Sequence, residues 1–306
     1  MSDVQPIIRI RNLVKRFDGR AVLDGINLDV MPGETMVVMG GSGCGKSTLL
    51  RHIIGSIKPD EGTIELFGQN IVGLGEDELN EIRKKFGILF QSGALFNSMT
   101  VAENVALPLQ EHTSLDPEII DTMVKIKLEL VALREHAGKY PAQISGGMKK
   151  RAGLARALAL DPRILFYDEP SAGLDPVTSA EIDRLICDMS KKLFVTSVVV
   201  THEMDSAFTI ADRMAMLDKG KLLMCNTREW FDNLRKLPLE ESEKRPESEQ
   251  LIRQFLRGDA EGPITRRKAS TNYAEDLLGG PVGTSILGMT PSVATTRSEA
   301  ADVAKQ

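Results

Sequence analysis

The stretch GGSGCGKST, from Gly40 to Thr48, sets Gly40, Gly41, Gly43 and Gly45 around Ser42 and Cys44, then ends on Lys46, Ser47 and Thr48. The spacing G-x-x-x-x-G-K-[ST] lets bare backbone N–H groups wrap a phosphate at the start of a helix. Lys46 can then reach the terminal phosphates, and the Ser47 hydroxyl can ligate Mg²⁺. The alternative is a chance glycine-rich turn. The apolar run TMVVMG before the loop and the helical STLLRHIIG after it favour the phosphate site.

A second stretch, YPAQISGGMKKRAGLARALALDPRILFYDEPSAGLDP from Tyr140 to Pro176, holds a different mixture. Gly146 and Gly147, after Ser145, offer bare N–H groups ahead of an amphipathic helix, a second place for an anion. A strand away stand Asp168 and Glu169, which would repel that anion unless a metal intervened. Asp168 ends an apolar strand, ILFYD, where a carboxylate can hold Mg²⁺ through water. Glu169 is placed to orient and deprotonate an attacking water, with an ordinary surface carboxylate as the alternative. His202 ends the strand VVVTH; a structural histidine is the bland reading, and a hydrogen bond to a γ-phosphate the functional one.

These residues need a scaffold that brings strand ends together. IIRI, AVLDGINLDV and TMVVMG read as a β-rich entry over residues 7–38, and GTIELFG and KFGILFQ as further strands. Residues 92–160 change to helical spacing, with Asp116 and Pro117 suited to a helix start. Strands return at ILFYDE and VTSVVVTH, joined by TSAEIDRLICDMSKKL, which implies parallel strands with a crossover helix. RMAMLDKGKLLMC reads as a closing hairpin. From residue 237 the composition shifts: LPLEESEKRPESEQ reads as a charged linker, LIRQFL as a short helix, and the end of the chain as disordered.

The chain has 306 residues, 42% hydrophobic and 5% aromatic, so its core should be aliphatic. A formal net charge of −5 argues against a sequence-independent grip on nucleic acid. Three cysteines, Cys44, Cys187 and Cys225, show no CxxC spacing, which fits a reducing compartment without zinc or disulfides. Cys44 sits in the glycine loop at a helix start, where positive potential is expected to lower its thiol pKa and make the protein thiol-sensitive; the alternative is a buried, inert cysteine. The N-terminal residues lack the apolar core of a signal peptide, and no segment approaches about 18 uninterrupted apolar residues.

Taken in order, Gly40–Thr48, Gln91, Ser145-Gly146-Gly147, Asp168-Glu169, Asp175 and His202 resemble a complete ATP-binding-cassette (ABC) ATPase over residues 7–235. The resemblance implies an α/β P-loop NTPase core with a parallel sheet, an N-terminal antiparallel β subdomain and an inserted helical subdomain. The ATP-binding domain would span residues 1–236, the helical part about 92–160, and a C-terminal extension 237–306. It also implies ATP and Mg²⁺ as ligands, with Phe17 stacked on adenine and Gln91 sensing the metal and the water. Two chains would close head to tail, Ser145–Gly147 of one on the γ-phosphate held by the other, with Asp175 in the loop facing the second copy. The usual LSGGQ signature is altered at Ile144 and Met148, which puts the closed-dimer geometry in question.

FQSGALFNSMTVAENVALPL, SGGM with its basic run, and RQFLRGDAEGPI resemble the ATPases of phospholipid transporters of the Mla/Mce, toluene-tolerance type. That implies work on the cytoplasmic face of the inner membrane with integral permease subunits and a periplasmic Mce-type lipid-binding protein. Leu95 and Phe96 would line the socket for a permease helix. Alternatives are a small-solute importer for amino acids or ions, a regulatory non-transporting cassette, and a soluble cassette of DNA repair, chromosome structure or translation. The last tends to carry zinc motifs, a very long coiled-coil insert or paired cassettes, none of which is present. A polar tail carrying Tyr273, Leu277 and Leu278 could dock on the neighbouring copy.

Overall fold

The computed structural model describes residues 4–265. The chain opens with three strands, β1 (Ile8–Phe17), β2 (Arg20–Val30) and β3 (Thr35–Gly40). A glycine loop leads into α1 (Lys46–Ile53), followed by β4 (Glu61–Leu66), β5 (Gln69–Asn70), α2 (Glu76–Arg83) and β6 (Phe86–Leu89). The helical stretch comprises α3 (Val101–His112), α4 (Pro117–Leu130), two short 3-10 turns and α5 (Gly146–Ala157). Then come β7 (Ile164–Asp168), α6 (Pro176–Leu193), β8 (Thr196–Val200), α7 (Met204–Ile210), β9 (Arg213–Asp218) and β10 (Lys221–Thr227). Among the described residues α8 (Arg228–Lys236), α9 (Leu239–Ser242) and α10 (Glu247–Arg257) follow.

Two sheets form. One is antiparallel, in the order β2-β1-β4-β5; the other runs β10-β9-β3-β8-β7-β6 and is parallel except for the β9–β10 hairpin. In the parallel sheet side chains alternate between two cores. Met36, Val38, Phe166, Val198 and Val200 face the antiparallel sheet with α1 and α2, while Val37, Met39, Tyr167 and Val199 face the helical layer. A strand buried on both faces needs an unbroken run of side chains that tolerate burial, and TMVVM, ILFY and TSVVV supply it.

Local signals set several helix starts. Thr100 Oγ1 accepts from the Glu103 N–H at 3.2 Å while Glu103 Oε2 accepts from the Thr100 N–H at 2.7 Å, a reciprocal cap on α3. Asp116 precedes α4 with Pro117 in the first turn, though its side chain makes no capping bond.

The charged stretch after residue 237 differs from the expected linker. It contains α9 and the start of α10, and α10 buries Leu251, Ile252 and Leu256. Ile252 and Leu256 join the same core as Phe231 and Leu234 of α8. Each such side chain contributes about 1.5–3 kcal/mol on burial, ample reason for a charged segment to fold back. Helices α2, α7 and α8 were also not anticipated from the sequence. The tail residues Tyr273, Leu277 and Leu278 lie outside the described residues. No helix among the described residues is long and apolar enough to cross a membrane.

Candidate functional site

Four adjacent parallel strands, β3-β8-β7-β6, deliver their C-terminal ends to one edge of the sheet. That edge is where open α/β sheets bind ligands. β3 runs into the glycine loop, β8 into Thr201 and His202, β7 into Asp168 and Glu169, and β6 into Gln91. Leu89 pairs with Tyr167, so Gln91 and Glu169 each lie two residues past the same rung.

The loop itself is a tight wrap. Gly45, at φ 109, begins α1, and a Cβ there would lie 2.8 Å from the Val22 oxygen and 2.9 Å from Leu23. No residue other than glycine suits both that backbone angle and that contact. Gly41, Ser42 and Gly43 lie along the loop, Gly40 closes β3, and Thr48 sits in the first turn of α1 with its carbonyl 2.7 Å from His52 Nδ1. Lys46 is buried, and its ammonium donates to the Gly40 oxygen at 2.8 Å and the Gly41 oxygen at 3.2 Å. A bound phosphate would offer that ammonium a charged acceptor in place of two carbonyls.

Cys44 corrects the thiol expectation. It is 6% exposed, and burial raises its thiol pKa against the lowering pull of Lys46. The helix-start potential is too weak to offset the loss of water around a thiolate.

The acidic pair lies against this loop. Ser47 Oγ donates to Asp168 Oδ1 at 3.4 Å. Burial pushes the Asp168 carboxyl up, and the Glu169 charge adds to this, while Ser47, Arg51 and Lys46 pull it down. Two neighbouring carboxylates out of full solvent form a charge pattern that a divalent cation relieves, and a hydroxyl plus carboxylate is a suitable hard oxygen set. The residues present therefore fit Mg²⁺.

Glu169 is held firmly. It has φ 50, in the left-handed region that side chains rarely adopt, and its N–H donates to the Val200 oxygen at 2.9 Å. His202 grips its side chain: the backbone N–H donates to Oε2 at 3.3 Å, and Nδ1 lies 2.9 Å from the same oxygen. The histidine side chain is exposed and the glutamate side chain largely covered.

Other expected residues sit apart from this cluster. Phe17 ends β1 beside Arg20 of β2, is 44% exposed, and has Lys15 Nζ 5.4 Å from its ring centre. An exposed aromatic at a strand end can accept a stacked base. Ser145 caps α5, its Oγ accepting from the Met148 N–H at 3.3 Å; Gly146 is exposed and Gly147 buried. Among the described residues no hydrogen bond joins Ser145–Gly147 to the phosphate loop. Asp175 caps α6, accepting from Val177, Thr178 and the Thr178 hydroxyl at 3.1, 3.0 and 2.6 Å, and the last of these leads in holding its carboxyl low.

Several residues escaped the sequence reading. Ser171, Asp183 and Ser206 form a buried network behind the Glu169 loop, with Ser206 Oγ donating to Asp183 Oδ2 at 2.7 Å. Lys150 donates to the Ala172 oxygen at 2.7 Å. Arg156 donates to the Ala94 oxygen at 2.8 Å, fastening the loop after Gln91. A signal existed for Lys150: helical spacing places it in line with Gly147 and Leu154, both buried.

Comparison with known proteins agrees with this arrangement. The ABC transporter family profile matches residues 23–172. The ATP-binding protein MlaF of the intermembrane phospholipid transport system of Haemophilus influenzae is 39% identical over 275 residues, covering 90% of this chain and 99% of MlaF. The probable ribonucleotide transport ATP-binding protein mkl of Mycobacterium leprae is 41% identical over 271 residues, 88% of this chain and 74% of mkl. Among solved structures, the ATP-binding cassette MJ0796, a dimer in a post-hydrolysis state bound to ADP and Pi, matches with a TM-score of 0.67 at 32% identity, covering 72% of this chain and 98% of its own. A phosphate loop, an acidic strand end and relatives this similar over most of the chain lead to one conclusion: the chain belongs to the ABC transporter family, as one of its ATPase cassettes.

Proposed function

We propose that this ATPase drives phospholipid transport through a separate integral membrane permease, working at the cytoplasmic face of the inner membrane. The observation that carries the reading is the match to MlaF over 99% of that protein's length. The mkl relative is named for ribonucleotide transport, and the match covers a smaller share of it, 74%.

In this reading the N–H groups of Gly41–Gly45 and the Lys46 ammonium hold the β- and γ-phosphates of ATP. Thr48 continues the cradle, and Phe17 stacks on the base. Ser47, Asp168 and Gln91 would hold Mg²⁺, which supplies charge neutralisation between the acids and the phosphates. Glu169 accepts a proton from the attacking water, and His202 fixes its carboxylate and faces the γ-phosphate. Ser145, Gly146 and Gly147 contact the γ-phosphate of ATP held by a second copy, and Asp175 lies in the loop facing that copy. The dimeric MJ0796 cassette supports a two-chain arrangement.

Copurification from membranes tests the cargo assignment. The reading expects permease subunits together with a periplasmic Mce-type lipid-binding protein. A permease accompanied by a soluble amino-acid or ion receptor would replace it with a solute importer, and a complex without any permease would leave a regulatory cassette.

A further inference from the structure

Helix α5 touches two functional loops at once. Its middle packs directly on the loop after Gln91: a Cβ on Gly93 would lie 2.8 Å from the Lys149 oxygen, and one on Gly153 would lie 2.8 Å from the Gly93 oxygen. Backbone meets backbone there, so helix and loop shift together. On its other flank Lys150 reaches the Glu169 loop. Its Nζ donates to the Ala172 oxygen at 2.7 Å and lies 3.5 Å from the Glu169 oxygen.

Lys150 is 4% exposed, and both hydrogen bonds go to carbonyls. Burial lowers its pKa, with Glu203 and Glu169 opposing that shift at longer range. A buried ammonium is disfavoured in an aliphatic layer, where a methionine or leucine would pack without desolvation. A charge retained there needs a task that a hydrocarbon cannot perform.

The opposite side of the loop is pinned separately. Ser171 Oγ lies 3.4 Å from Asp183 Oδ1 and 3.1 Å from Ser206 Oγ, which fixes the loop to α6 and α7. Glu169, at φ 50, heads this loop just before these anchors, and its carboxylate is held from the far side by His202. A shift of the loop backbone therefore changes how the carboxylate sits against that grip.

We propose that Lys150 is a positioning residue that locks the Glu169 loop to α5, so that engagement of the α5 N-terminus sets the placement of Glu169 in the same chain. This rests on the reading of Ser145–Gly147 as the cradle for a second copy's γ-phosphate. Phosphate held there orders the first turn of α5, and Lys150, one turn further on, transmits that position to the carbonyls of Ala172 and Glu169. One chain then readies its own base when it grips its neighbour's nucleotide.

The test compares the full-length wild type with Lys150→Met, Lys150→Arg and Gly146→Asp. It measures kcat, KM for ATP, nucleotide affinity at dilute chain concentration, and melting temperature. Misplacement of a reacting group by about 1 Å costs about 10²-fold, so Lys150→Met should lose turnover on that scale while affinity and melting temperature hold. Lys150→Arg, which keeps donors within reach, should recover most of it. Lys150→Met turnover within about threefold of wild type overturns the proposal. So does a joint fall in turnover, affinity and melting temperature that arginine fails to rescue, since that marks packing alone. If the methionine variant does not fold, Lys150→Gln, which retains an uncharged amide donor group, is read by the same criteria. The Gly146→Asp control separates the two failures. Undiminished turnover there removes the two-copy reading and this proposal with it, whereas lost turnover there beside intact Lys150→Met turnover removes the coupling alone.

Discussion

The chain has two glycine-rich helix starts proposed as anion cradles, and they are built differently. The first, Gly40–Thr48, has a buried lysine, a serine and an acid converging on one loop. The second, Ser145–Gly147, has a capping serine and an exposed Gly146, with its lysines only from Lys149 onward and Lys150 turned to the Ala172 carbonyl. Helix dipoles favour an anion at either place, but each supplies only a fraction of a unit charge. Under the proposed function the first stretch acts as a phosphate site within one chain, and the second acts as a half-site for a phosphate that another copy already holds. On that reading the difference gives a physical reason for the chain to act in pairs.

The largest expected effect lies at the first cradle. Glu169→Gln removes the proposed base while keeping the shape of the side chain, and turnover should fall about 10²–10⁴-fold with nucleotide still bound. ATPase rate alongside size-exclusion in MgATP measures it, and a trapped dimer is the expected species. Near-normal hydrolysis would take Glu169 out of the chemistry.

The second effect tests the cradles against each other. Lys46→Ala should abolish nucleotide binding by a dilute chain. Gly146→Asp should leave that binding intact yet cut turnover about 10²–10³-fold, as for loss of a phosphate-facing donor. A Cβ on Gly146 meets nothing closer than Leu174 at 3.7 Å, and an acid at a helix start is locally favourable, so this variant should fold. Mixing the two inactive proteins should restore hydrolysis, because one chain retains a first cradle and the other a second. A mixture as inactive as its parts would mean that the two cradles never meet.

A smaller effect concerns Cys44. Its thiol pKa is raised by burial, so the reactive thiolate is scarce at neutral pH and becomes populated as pH rises through the elevated value. Alkylation of the folded chain at neutral pH should be at least about tenfold slower than in the urea-unfolded chain, and faster in alkali. Rapid neutral labelling blocked by MgATP would restore the thiol-sensitive loop expected from position alone. The smallest change is Met148→Gln, at the edge of the second cradle. With Ser145 and Gly147 intact, turnover should change by no more than about threefold, read from ATPase rates at several chain concentrations.

Where the sequence misled, the reason is the same each time. Cys44 was judged by its place at a helix start, but contacts from elsewhere in the chain remove its water. Residues 237–250 were judged by charge, yet the apolar stripe Leu251, Ile252 and Leu256 draws the segment onto the core, with Arg253 turned to the Leu237 oxygen and Asp259. Lys150 entered the sequence reading only as part of the basic run after SGGM. Its spacing allowed burial, but nothing local names the carbonyl it meets.

By itself the sequence determined the two glycine-rich helix starts, the acidic strand end and the alternation of strands and helices. Those depend on residue type and on spacing within an element, which the backbone periods of 3.6 and 2 translate directly into geometry. Tertiary structure alone decided that β8 lies between β3 and β7, that His202 therefore grips Glu169, and that α5 ties two loops together. Strand order and helix docking follow from burying apolar faces formed by residues far apart in the chain, and no short window of sequence contains both partners.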